Sequence, residues 1–257
     1  MRKLILKALF FAKLAKLVYD FPPKDGKFLK GSVFNIKLNG KIEIATVISR
    51  IYDKYSSVEA YILFSRNEYH VVFKGSREWR DWFFDFLAFM KRIFRKGVKA
   101  HYGFTRCYQR VRLKVFKELT EIVQNHEDKS NMKINFVGHS LGAAVTTLFF
   151  VRVITQGNLL KFSEIDLYTY GSPRVFNKKG YKLFKAMVMD IKNYFAYRFV
   201  NKRDAVTKMP KFGYRHVGQP LFLDGKGNVS FKRKRRIGSF KDHNLDDYIK
   251  SLESILY

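Results

Sequence analysis

The heptapeptide Gly138-His139-Ser140-Leu141-Gly142-Ala143-Ala144 constrains this chain more than any other stretch. It follows an apolar run, residues 134–137 within 133–137, that reads as a short buried strand. It precedes residues 141–155, whose composition suits a helix. A G-x-S-x-G pattern at a strand-to-helix junction describes a sharp turn that holds a serine hydroxyl above a sheet. Such a turn forces the serine into a strained backbone conformation, and the flanking glycines remove Cβ atoms that would strike the strand and the helix. The helix that follows offers backbone N–H groups and a positive dipole end to a developing oxyanion. The pentapeptide alone arises by chance in a Gly-containing chain. Its placement between an apolar strand and an Ala-rich helix gives it weight and points to acyl transfer.

The rest of the chain supplies the sheet that such a turn needs. After a break at Phe21-Pro22-Pro23, β-rich segments are expected near 42–52, 58–64 and 69–73, and a helix near 104–126. From there strand and helix alternate: strand 165–170, helix 178–189, strand 195–200 and a closing helix over 242–256. This alternation predicts an α/β fold with a mainly parallel central sheet and helices on both faces, and places chemistry just after strands. A length of 257 residues fits one domain spanning 1–257, with 1–20 a basic, apolar N-terminal helix that packs on it.

Four further stretches occur in an order that carries a resemblance. They are Val71-Val72-Phe73-Lys74-Gly75-Ser76 with Asp81-Trp82, Thr169-Tyr170-Gly171-Ser172-Pro173-Arg174-Val175, Phe199-Val200-Asn201 through Asp204, and His243 with Tyr248. With the serine turn, they make the chain resemble the class 3 lipases, a family of α/β-hydrolases, over about residue 69 to the C-terminus. The resemblance implies hydrolysis of carboxylic esters of lipids, of the triacylglycerol lipase or phospholipase type, by a Ser-His-Asp triad. A serine hydroxyl needs an imidazole to take its proton and a carboxylate to orient that imidazole, in the chain order Ser, acid, His. Asp204 lies just beyond a strand and His243 just before the closing helix, and both match the family positions. Asp166, before a strand, and Asp190, at a helix end, fall on the wrong side of the sheet. Tyr214-Arg215-His216-Val217-Gly218 also resembles a family segment, whose histidine is structural there; His216 is the rival base. His139 and His101 are read as structural, and His70 and His126 carry no motif.

By resemblance, the oxyanion hole comprises the Ser76 N–H with its hydroxyl and the Leu141 N–H. The aromatic stretch with Trp79, Trp82, Phe83 and Phe86 corresponds to a lid and substrate-binding segment, the rival reading being fixed core. The chain departs from the family pattern at Lys74, where Arg is common, at Thr207, where proline is common, and at Phe176, where glycine is usual. None of these removes a reacting group. No metal or organic cofactor is implied.

Fifty Lys and Arg against 22 Asp and Glu give a net charge of +28, which calls for an anionic environment or partner. Residues 86–117 contain ten Lys or Arg and no acid, and Lys232-Arg233-Lys234-Arg235-Arg236 adds a second basic run. Interleaved with aromatics, such stretches suit an anionic membrane surface. A solvated loop and a nucleic-acid patch are rivals, but no nucleic-acid recognition module supports the latter. Cys107 is the only cysteine, so no internal disulfide forms. The longest uncharged run near the N-terminus, 8–12, is too short for a signal h-region, which favours a cytoplasmic or peripheral membrane location. Two alternatives stay open beside the lipase reading: a catalytically silent membrane-binding protein, and an esterase for soluble esters.

Overall fold

The computed structural model describes residues 1–20, 30–53, 55, 58–75, 90–94, 97–126, 128, 131–156, 162–189, 194–232 and 238–257. Among these, the helices are α1 (Arg2–Asp20), α2 (Tyr102–Asn125), α3 (Leu141–Thr155), α4 (Lys178–Met189) and α5 (Leu245–Leu256). The strands are β1 (Val33–Leu38), β2 (Lys41–Asp53), β3 (Val58–Ser65), β4 (Glu68–Lys74), β5 (Met90–Arg92), β6 (Lys99–His101), β7 (Lys133–His139), β8 (Glu164–Tyr170), β9 (Tyr194–Asn201), β10 (Gln219–Leu223) and β11 (Val229–Ser230).

One sheet has the order β1-β2-β3-β4-β7-β8-β9-β10-β11, and β5-β6 form a separate hairpin. The expected parallel pairing is the centre of that sheet, running β4-β7-β8-β9-β10. Antiparallel strands extend it at both edges, making the whole sheet mixed. Strands buried on both faces read as near-continuous apolar runs, and their alternation sorts them between two cores. Ile134 and Phe136 of β7, with Ile165 and Leu167 of β8, join α2, α3 and α4 in one core. Val137, Tyr168 and Tyr170 face the other side, under α1 and α5.

A polar row interrupts the second core. His70, Asn135 and Asp166 are register neighbours on β4, β7 and β8, and all three are buried. Asn135 donates to Glu68 at 2.7 Å and to His70 Nδ1 at 3.2 Å, while His70 Nε2 donates to the Ser65 carbonyl at 3.2 Å. Burial, with cationic Lys7 and Arg66 nearby, pulls the His70 imidazole down to about 3. From α1, Lys7 reaches Asp166 at 3.0 Å, Glu164 at 3.5 Å and Glu68 at 3.8 Å. The apolar helix is thus seated on the sheet by one ammonium among three carboxylates.

Two differences from the sequence reading have local causes. The closing helix begins at Leu245, not 242, because the Asn244 side chain accepts the Asp246 N–H and caps it. Residues Lys241–His243 form a separate 3₁₀ turn, which leaves His243 outside the helix. The strands β1, β5, β6, β10 and β11 were not anticipated; they are edge or hairpin elements, and β10 carries Pro220.

Candidate active site

Ser140 follows β7 with φ 57° and ψ −125°, the strained conformation that the turn demands, and α3 starts at Leu141. A Cβ on Gly138 would lie 2.6 Å from the Gly142 carbonyl and the Thr146 hydroxyl. One on Gly142 would collide with the Phe73 carbonyl at the end of β4. Only glycines let strand, helix and neighbouring strand approach this closely. The Leu141 N–H, first in its helix, has no carbonyl four residues back within the helix to bond.

The side chains of Ser140, His243 and Asp204 converge here from three elements. His243 Nε2 lies 2.8 Å from Ser140 Oγ, and His243 Nδ1 lies 2.8 Å from Asp204 Oδ2. An Nδ1–H donated to the carboxylate leaves the Nε2 lone pair facing the serine hydroxyl. All three are essentially buried. A buried carboxylate needs donors, and Asp204 has them: Oδ2 also accepts the Tyr248 hydroxyl at 2.7 Å, and Oδ1 accepts the Val206 N–H at 2.9 Å. Burial and the adjacent Asp204 push the Tyr248 phenol well up, so it stays a donor.

The turn bearing His243 is tied to β9. Asn201 donates to the Asp242 carbonyl at 3.3 Å and accepts the Ser251 hydroxyl at 2.7 Å, while Asp242 accepts the Arg203 N–H at 3.2 Å. Gly171 has φ +60°, and a Cβ there would sit 2.8 Å from His243 Cε1 and 3.0 Å from Asp204 Oδ2. Any side chain at 171 would therefore intrude on the imidazole-carboxylate pair as well as strain the backbone.

His139 is hydrogen-bonded to groups other than Ser140 Oγ, in keeping with a structural role in the turn. Its ring lies 4.7 Å from that of His243, and its Nε2 donates to the His243 carbonyl at 2.8 Å. Burial and the neighbouring His243 hold its imidazole well below the ordinary range, so it stays neutral. Its Nδ1 accepts the Tyr19 hydroxyl at 3.2 Å, and the Tyr19 oxygen accepts the Gly75 N–H. Tyr19, at the end of α1, thereby joins the histidine beside Ser140 to the residue preceding Ser76. The sequence offers no signal for this, because the contact spans 120 residues and Tyr19 lies in no motif.

The rival groups are engaged elsewhere. His216 Nε2 donates to the Thr207 carbonyl at 2.8 Å, and the Thr207 hydroxyl donates to the Asp204 carbonyl at 2.8 Å. Asp166 binds Lys7, and His101 stacks on Phe104 with centroids 4.2 Å apart. Lys74, in place of the family's Arg, pairs with buried Glu59 at 3.0 Å, and Arg50 approaches the same carboxylate at 3.2 Å. Glu59 thus has two cationic partners. Phe176 is fully buried. Ser76, Trp79, Trp82, Phe83 and Phe86, as well as Asp190 and residues 233–236, lie outside the described residues.

The family model described as lipase (class 3) matches residues 70–214. The chain is 31% identical over 163 residues to the secreted mono- and diacylglycerol lipase A of Penicillium cyclopium, covering 62% of this chain and 49% of that protein. It is 26% identical over 210 residues to phospholipase A1-IIgamma of Arabidopsis thaliana, covering 73% of this chain and 48% of that one. The chain thus spans about half the length of these curated relatives. Among solved structures, a Rhizomucor miehei lipase propeptide complex aligns with a TM-score of 0.70 at 21% identity, over 86% of this chain and 69% of that one. Strand order, serine turn and family match agree: the chain belongs to the class 3 lipase family and has the α/β-hydrolase fold.

Proposed function

We propose that this protein hydrolyses carboxylic esters of lipids, with Ser140 as nucleophile, His243 as general base and acid, and Asp204 as the group that orients His243. The observation that carries this reading is the unbroken chain Ser140 Oγ to His243 to Asp204, with both links at 2.8 Å. Ser140 Oγ attacks the ester carbonyl as His243 Nε2 takes its proton, and buried Asp204 stabilises the imidazolium that forms. The Leu141 N–H and, by family resemblance, the Ser76 N–H and hydroxyl hold the oxyanion. His243 then protonates the departing alcohol. Water, deprotonated by the same imidazole, releases the fatty acid from the acyl-serine.

A glycerolipid or phospholipid substrate is supported by the chain's similarity to a mono- and diacylglycerol lipase and a phospholipase A1. The aromatics Trp79, Trp82, Phe83 and Phe86 suit the acyl chain, and the charge of +28 suits work at an anionic membrane surface. A panel of triacylglycerol, diacylglycerol, phospholipid and soluble short-chain esters, with Ser140→Ala as blank, tests the reading. Serine-dependent turnover of at least one lipid ester is expected. Turnover equal to the blank on every lipid would overturn it.

A further inference from the structure

Three stretches distant in sequence contain no acidic residue: 86–117 with ten Lys or Arg, 167–189 with five, and 205–223 with three. The fold lays their described parts side by side. Met90 of β5 pairs with His101 of β6, and isolated bridges run Ala100 to Phe176 to Arg215. Gly97 faces Lys179, and Met90 Cε lies against Gly213. The result is a surface in which cations from three segments adjoin without an acid from any of them.

At its edge stands Phe212, 87% exposed, between Lys211 and Gly213. This exposure does not come from an untethered loop. The Arg174 guanidinium donates to the Pro210 carbonyl at 2.8 Å and the Lys211 carbonyl at 2.9 Å, and the Arg174 N–H donates to the Met209 carbonyl at 2.7 Å. Arg215 is bonded through its backbone to Phe176, and Tyr214 beneath is buried. A held loop that presents one large aromatic ring to water, on segments that also carry the exposed cations Lys91, Arg92, Lys99, Lys211 and Arg215, has the chemistry of a bilayer contact. The ring gains by leaving water, and each cation gains near an anionic headgroup.

We infer that this face docks on an anionic phospholipid bilayer, with Phe212 entering the headgroup boundary and the five cations meeting lipid phosphates. The inference rests on the membrane reading above and assigns it a face and an insertion point. It is tested in Ser140→Ala protein, so that binding does not depend on hydrolysis. Cys107 is buried at 2% exposure, so a thiol introduced by Phe212→Cys takes an environment-sensitive fluorophore selectively. Mixing with phosphatidylcholine vesicles containing phosphatidylglycerol is expected to raise and blue-shift its emission. Phosphatidylcholine alone should not, nor should the same label at Ile44→Cys, an exposed site on β2.

In cosedimentation, Phe212→Ser and the pair Lys211→Glu with Arg215→Glu should each weaken binding to the anionic vesicles at least roughly tenfold. Equal responses at 212 and 44, unchanged binding of the variants, or binding to duplex DNA with none to vesicles would overturn the proposal. Hydrolysis of a soluble ester by the wild type is measured in parallel. Its absence beside intact docking would strike the catalytic reading alone, and its presence without docking would strike this one alone.

Discussion

Asp204 is a carboxylate fully removed from water that accepts from His243, Tyr248 and Val206, and each donor has a separable consequence. Asp204→Asn places an amide against Nδ1 and favours the wrong imidazole tautomer, so kcat should fall by about 10⁴-fold with the fold retained. Tyr248→Phe leaves the tautomer correct but removes one charge-assisted bond. A loss of roughly tenfold in kcat, the equivalent of about 1.4 kcal/mol, is expected in steady-state kinetics with KM little changed. The convergence of Ser140, Asp204 and His243 was legible because each stands at an element boundary that strand and helix patterning locates. Tyr19 and the reason for Gly171 were not. Both act through close approach between segments more than 30 residues apart, and no local pattern encodes that.

Helix α1 is more than a cover for the sheet. Its Lys7 sits among Glu68, Glu164 and Asp166, the Tyr170 hydroxyl donates to its Ala8 carbonyl, and its Tyr19 reaches Gly75 and His139. Tyr19→Phe removes the acceptor for the Gly75 N–H. It should lower kcat by about tenfold, while urea unfolding shifts by only about 1 kcal/mol. The polar row beneath α1 also sets a pH response. His70 falls from an ordinary 6.5 to about 3, so below 6.5 the unfolded chain binds a proton that the folded chain refuses. Its contribution is intact above that range and lost as pH falls toward 3, at up to about 1.4 kcal/mol per pH unit.

Asp166 has the opposite sign: burial, partly offset by Lys7, raises it to about 6, and its contribution is lost as pH rises through that value. The comparison that isolates His70 is therefore wild type against His70→Gln. Urea midpoints should show the wild type losing stability relative to the variant between pH 7 and pH 5; a constant difference would contradict it. The main central strands and the helices were legible as elements from apolar runs and 3.6-residue periodicity. The docking of α1 and the polar row depend on register between strands, which single-sequence patterning does not fix.

For the molecule as a whole, the charge of +28 was visible as a total, but its arrangement was not. Sequence marked 86–117 as basic, whereas only the bridges from Ala100 to Phe176 and from Phe176 to Arg215 join it to two more acid-free stretches. Lipolysis on anionic vesicles should therefore fall steeply as salt rises from low ionic strength, while turnover of a soluble ester by the same protein changes little. The measurement that bears most directly on the central assignment is active-site labelling with a fluorophosphonate, followed by peptide mapping. One adduct on the peptide that carries Ser140 is expected in the wild type and none in Ser140→Ala, with labelling of Asp204→Asn strongly slowed. Equal labelling of wild type and Ser140→Ala, or an adduct mapped to another residue, would contradict it.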